Sequence, residues 1–160
     1  MVKLLTGKRA GKDGKIAVGC SAAVFDDNHE RILLIHRADN AKWAVPGGYM
    51  EAGEDFTEAC VREVFEETGL AVKVQHLIGV YTNPHILLEY PDGNRWQLVI
   101  LHFEAKMIGG ELRPSEESPE VRFCTPEEAA TLAMRPIDRL RIADALANQE
   151  GAILRKEFGV

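Results

Sequence analysis

Three glutamates, Glu63, Glu66 and Glu67, have the residue type and spacing that point most directly to chemistry. They fall in residues 56–68, which read as one helix. Asp55 suits the N-cap, Glu58 three positions on completes a capping box, and Gly69 is a natural left-handed terminator. At about 100° per residue, Glu67 lies roughly 40° to one side of Glu63 and Glu66 roughly 60° to the other. Phe56, Ala59 and Cys60 share that sector, so the stripe is apolar in its first half and acidic in its second. Val61, Val64 and Phe65 occupy other sectors and also read as buried, which an ordinary amphipathic surface helix does not show.

Such a cluster is electrostatically unfavourable by itself. Like charges at i,i+4 repel by about 0.2–0.5 kcal/mol even when exposed. The helix dipole disfavours anions near the C-terminus, and desolvation adds a larger cost. A divalent cation removes all three objections. Hard oxygen ligands favour Mg²⁺, with Mn²⁺ as the second choice, over Zn²⁺. A solvated acidic face is the alternative that the residues alone leave open.

The surrounding sequence reads as strands that could position this helix. Residues 16–25 form a buried strand, and after the turn at Asp26-Asp27-Asn28 residues 31–36 are expected to pair back on it. Residues 43–48 end in a sharp turn at Gly47-Gly48. Residues 72–81 form another strand, and 86–90 and 96–103 flank Pro91-Asp92-Gly93-Asn94 as a hairpin. A short strand at 121–124 leads to a helix capped by Thr125 with Pro126 at its first position, and a last helix covers 137–148. The pattern implies an α/β fold with a mixed sheet covered by helices.

Composition bounds the rest. The chain has 160 residues, 46% of them apolar and 28% charged, which suits one folded domain and excludes a disordered or collagen-like chain. Residues 1–15 carry Lys3, Lys8, Arg9, Lys12 and Lys15 against Asp13 and read as a flexible basic lead-in; residues 16–160 form the single domain. No apolar run approaches the ~20 residues of a membrane span, and the first residues are too short an apolar stretch for a signal peptide. A cytoplasmic location with no membrane partner is therefore expected. Cys20, Cys60 and Cys124 lie far apart and read as buried free thiols. The net charge of −6 disfavours a long nucleic acid as partner.

Residues 48–70 match a known pattern, Gly-x5-Glu-x7-Arg-Glu-U-x-Glu-Glu-x-Gly-U with U aliphatic. Gly48, Glu54, Arg62, Glu63, Val64, Glu66, Glu67, Gly69 and Leu70 fill every defined position. The segment resembles the Nudix box, and the strand pattern around it resembles the Nudix α/β/α sandwich with its central mixed sheet. The resemblance implies a metal-dependent hydrolase that cleaves a diphosphate linkage in a small nucleoside diphosphate derivative. A nucleoside-triphosphate pyrophosphatase is the alternative within that class. A nucleotide sensor without turnover is the alternative outside it, although no box acid is lost.

The roles carried by the resemblance fall on named residues. Glu63, Glu66 and Glu67 match the metal-binding acids, and the Gly47-Gly48 turn matches the loop that brings a backbone carbonyl to metal and phosphate. Glu54 and Arg62 match the pair that braces the loop against the helix and complete the catalytic set. Glu67 or Glu63 would accept a proton from water, while Glu117 and Glu120 are candidates from a later loop. Arg37, Gly48 and Tyr81 are assigned to the substrate side; for Tyr81, as for Trp43 and Trp96, core packing is the competing role. Pro84, 14 residues beyond Leu70, resembles a marker of the ADP-ribose-hydrolysing subgroup and equally suits a turn. Relatives that pair admit a homodimer as well.

Overall fold

The computed structural model describes residues 1–159. The elements in chain order are β1 (Lys3–Thr6), a 3₁₀ turn (Ala10–Asp13), β2 (Lys15–Val24), β3 (Ile32–His36), β4 (Trp43–Ala44), β5 (Gly47–Tyr49) and α1 (Phe56–Thr68). They continue with β6 (Leu70–Thr82), β7 (Ile86–Glu89), β8 (Arg95–Gly110), β9 (Glu120–Cys124), α2 (Pro126–Thr131), α3 (Pro136–Ala147) and β10 (Ile153–Arg155). The larger sheet runs β1-β7-β8-β2-β5, with β6 also paired to β8 and β10 to β6. β2 is parallel to β8 and β10 to β6, and the other pairings are antiparallel, so the sheet is mixed. A second, three-stranded sheet has the order β4-β3-β9.

Alternation along β2 decides where the helices go. Successive side chains on a strand point to opposite faces. Cys20, Ala22 and Val24 pack with Ala59, Cys60 and Val64 of α1. Ala23, together with Phe25 just past the strand, packs with Ala129 of α2 and with Ile142 and Ala145 of α3. The sheet therefore lies between α1 and the C-terminal helices, as the α/β/α expectation requires. All three cysteines are buried and free. No helix among the described residues is long and apolar enough to cross a membrane.

Three expectations are corrected. Residues 31–36 do not pair back on β2, whose two edges are taken by β5 and β8; only an isolated bridge, Phe25 to Ile32, joins the two segments. β3 instead pairs with β4 and β9. The basic lead-in is structured: β1 pairs antiparallel with β7, and the amides of Gly7 and Gly11 donate to the carbonyls of His85 and Pro84. The Gly47-Gly48 segment is a short edge strand and not a turn, because Gly47 and Gly48 stand in register with Ser21 and Cys20.

Candidate active site

The helix that carries the acids forms where its local signals place it. The Asp55 carboxylate accepts from the amides of Thr57 and Glu58 at 2.8 and 2.9 Å, and the Glu58 carboxylate accepts from the Asp55 amide at 2.9 Å. Gly69 ends the helix in the left-handed region at φ 78°, donating to the carbonyl of Phe65. Phe65 is the exception to the expected burial. It is 44% exposed, with the Arg113 guanidinium over its ring.

Arg62 is the hub of the cluster. Its Nε donates to Glu54 Oε1 at 2.5 Å, and Nη2 donates to Glu54 Oε2 and to the Tyr49 carbonyl, both at 3.0 Å. Nη1 donates to Glu63 at 2.8 Å and, more weakly, to Glu66 at 3.4 Å. One planar guanidinium thus ties the loop after β5 to the helix. Glu54 also accepts from the Glu51 amide, and these bonds hold its carboxyl down to about 2.

Glu67 has no such partner. It is 5% exposed, and among the described residues the only hydrogen bond to its side chain comes from the Gly47 amide at 3.3 Å. Burial first, and then the neighbouring charge of Glu63, push its carboxyl up to about 8 against the usual 4.5. Burial also raises Glu63, and Arg62 opposes that shift. Gly48 stands close to Glu63: a Cβ there would lie 2.4 Å from its carboxyl carbon and would displace the carboxylate. At Gly47 a Cβ would stand 2.5 Å from the Cys20 carbonyl oxygen. Backbone and acids are thus in direct contact.

Glu63 and Glu67 face this glycine strand, whereas the Glu66 side chain is 58% exposed and turned towards Arg62. Among the described residues, no three acidic, histidine or cysteine side chains already converge on one point tightly enough to ligate a common ion. The donor set nevertheless fits a hard divalent cation. It is all oxygen, carries surplus negative charge, and includes a buried carboxyl with no cationic partner.

Arg37 stands at the rim, with Nε and Nη2 on the Asp39 carboxylate at 3.0 and 2.7 Å, and its charge lowers Glu67. Glu117 is brought to the same rim. Its carbonyl accepts from the Ala38 amide, and its charge helps raise both Glu63 and Glu67. Glu120 is not brought in; it pairs with Arg122 at 3.6 Å. Tyr81 is also removed from the substrate side. It is 0% exposed, and its hydroxyl donates to Asp144 at 2.8 Å, so it is a core residue. Pro84 lies in the turn between β6 and β7, its carbonyl held by Gly11.

The sequence reading missed a second polar cluster, built on α3. Asp138, 0% exposed, accepts from both Arg135 and Arg141, and Arg141 Nη1 donates to Ser21 Oγ at 2.9 Å. His102 Nδ1 is 2.8 Å from the same hydroxyl, and Arg155 pairs with Asp144. The available signals were Asp138 and Arg141 at i,i+3 and a histidine in the apolar run of β8.

A sheet with helices on both faces, bearing acids on one helix beneath a glycine strand, is an arrangement suited to hold a hard cation against a small anion. A family model described as the NUDIX domain matches residues 15–145, and the chain belongs to the Nudix hydrolase family, whose members are pyrophosphohydrolases acting on small nucleotides and typically depend on divalent metal. A MutT-like protein of Streptomyces ambofaciens is 40% identical over 116 residues, covering 72% of this chain and 68% of the relative. An ADP-ribose pyrophosphatase of Methanocaldococcus jannaschii is 40% identical over 110 residues, covering 67% of this chain and 60% of the relative. This chain therefore spans only about two thirds of those relatives. A NUDIX hydrolase structure from Nitrosomonas europaea superimposes with a TM-score of 0.72 at 26% identity, covering 89% of this chain and 79% of that one.

Proposed function

We propose that this protein hydrolyses the diphosphate linkage of a nucleoside diphosphate derivative, ADP-ribose or a nucleotide sugar before a nucleoside triphosphate, with Mg²⁺ or Mn²⁺ held by Glu63, Glu66, Glu67 and the main chain at Gly47. The observation that carries this reading is Glu67: a buried carboxyl, raised to about 8, with a backbone amide and no cation to face. An ion held there would neutralise phosphate oxygens and lower the pKa of an attacking water. The Gly47 amide orients Glu67, and Arg62 fixes Glu63 and the loop through Glu54 and the Tyr49 carbonyl. Glu63 or Glu67 accepts the proton of the attacking water, and Glu117 is the one later acid brought within range. At the rim, the Arg37 guanidinium meets the anionic substrate. Gly48 lets the β5 backbone lie close to the acids of α1 and leaves room for the substrate phosphates.

The 40% identity to an ADP-ribose pyrophosphatase supports the favoured substrate. A putative 8-oxo-dGTP diphosphatase of Bacillus subtilis, 46% identical over 55 residues, supports the triphosphate alternative, but over only 34% of this chain and 37% of that relative. The test is a panel of ADP-ribose, nucleotide sugars and ordinary and oxidised nucleoside triphosphates, with Mg²⁺ and with Mn²⁺, read by product identification. AMP and ribose 5-phosphate from ADP-ribose are expected. Pyrophosphate release from a triphosphate, with ADP-ribose untouched, transfers the assignment to the alternative. Tight nucleotide binding with no product from any member of the panel would leave a sensor.

A further inference from the structure

The buried cluster on α3 connects to the acids of α1. Arg141 is 6% exposed, and burial lowers the pKa of its guanidinium. Asp138, which neutralises it, is shared with Arg135. Replacing such a buried ion pair by apolar side chains is often neutral or stabilising, so stability alone does not explain the arrangement. Arg141 has only donors, so Ser21 Oγ accepts from it, and the same oxygen lies 2.8 Å from His102 Nδ1. His102 is 0% exposed, and burial lowers its pKa well below 6.5. Neither His102 Nε2 nor Arg141 Nε has a partner among the described residues, so Ser21 is the one link between Arg141 and β2 in this cluster of described residues.

Ser21 is where this cluster meets the acids. It stands opposite Gly47 in the β2–β5 register. A Cβ on Gly47 would lie 2.6 Å from both Cα and Cβ of Ser21. Among the described residues, the Gly47 amide in turn makes the only hydrogen bond to the Glu67 side chain. Hydrogen bonds thus run from Asp138 through Arg141 to Ser21, strand register sets Ser21 against Gly47, and the Gly47 amide reaches Glu67. A second route leads to the same strand. The loop before α3 lies along β4, with the Trp43 amide donating to the Ala133 carbonyl and Trp43 bridged to Met134, and β4 leads directly to Gly47.

We propose that Arg141 is a positioning residue for the metal-binding acids, setting through Ser21 the height of the Gly47 amide and hence the orientation of Glu67. The proposal rests on the metal reading above. Displacements of about 1 Å in such a chain are enough to cost up to ~10² in function.

The test uses the full chain with Arg141→Met, Arg141→Lys, Ser21→Ala and, as reference, Glu67→Gln. Mn²⁺ affinity is measured without substrate by electron paramagnetic resonance of the free ion, beside thermal unfolding. Arg141→Met and Ser21→Ala are expected to weaken Mn²⁺ binding by about 5-fold or more. Arg141→Lys, which keeps a donor for Ser21 and a charge for Asp138, should restore part of the loss. Should Arg141→Met not fold, Ser21→Ala, which removes one oxygen atom, carries the measurement. Wild-type Mn²⁺ affinity in both, whatever their melting temperatures, overturns the proposal while Glu67→Gln still loses the ion. If Glu67→Gln also binds Mn²⁺ like wild type, the metal reading itself falls.

Discussion

The two polar clusters differ in how their charges are balanced. At α1, Glu54, Glu63 and Glu66 share one guanidinium, that of Arg62, and Glu67 has none. On α3, Asp138 and Asp144 are matched by Arg135, Arg141 and Arg155, with Ser21 and Tyr81 adding hydrogen bonds to Arg141 and Asp144. Both clusters are buried in part, and both face the same sheet. The balanced one holds parts of the molecule in place. The unbalanced one keeps negative charge that only something from outside can offset. Buried charge marks a binding site here only where the chain leaves it uncompensated.

That contrast can be broken or sharpened from each side. The largest effect is expected from Asp138→Ala, which leaves Arg141 buried and unpaired. Breaking a buried pair in this way costs about 3–5 kcal/mol, to be read from urea unfolding. Glu67→Gln should do the reverse, reducing turnover by at least ~10² in steady-state assays while the melting temperature holds or rises. If Glu67→Gln instead unfolds the protein, the acids are structural and the distinction fails.

Ion binding sharpens the same point. Wild type should gain about 2.7 kcal/mol of stability when free Mg²⁺ reaches a hundred times its dissociation constant, and Glu67→Gln should gain nothing comparable in the same calorimetric scan. A further effect is pH-dependent. The native Glu67 carboxyl, at about 8, keeps a proton that the unfolded chain loses above the ordinary 4.5. Its contribution is complete below pH 4.5 and is lost as the pH rises to about 8, with a slope of at most about 1.4 kcal/mol per pH unit in metal-free protein. His102 has the opposite sign. Its pKa lies well below 6.5, so its contribution is present above 6.5 and is lost as the pH falls below that. The difference in stability between wild type and Glu67→Gln should therefore change progressively between pH 4.5 and about 8, while the loss below 6.5 set by His102 is common to both.

What the sequence disclosed was local. α1 lies at residues 56–68 because its N-cap, capping-box partner and terminating glycine all fall within a few residues of its ends. The helix at Thr125 and the hairpin at Pro91-Asp92-Gly93-Asn94 were legible for the same reason. Glu63 and Glu67 were legible as a pair because helical geometry fixes their separation. Features that depend on partners distant in sequence were not. The Asp26-Asp27-Asn28 turn has the local signature of a hairpin, yet β2 is claimed on both edges by later strands. Tyr81 reads as either a stacking or a core aromatic until Asp144, 63 residues on, is placed against its hydroxyl. The contact of Arg141 with Ser21 joins positions 120 residues apart, beyond the reach of any spacing rule.

β8 has a consequence for dynamics. Its 16 residues pair with β2 along one edge and with β6 and β7 along the other, whereas β5, which carries the glycines, is three residues long and lies at the sheet margin. Amide protons in the middle of β8 exchange with solvent only when the whole domain opens, while those of β5 are released by local fraying. The longest strand of the molecule, paired along both edges, thus stands behind a glycine strand that is expected to fray without it.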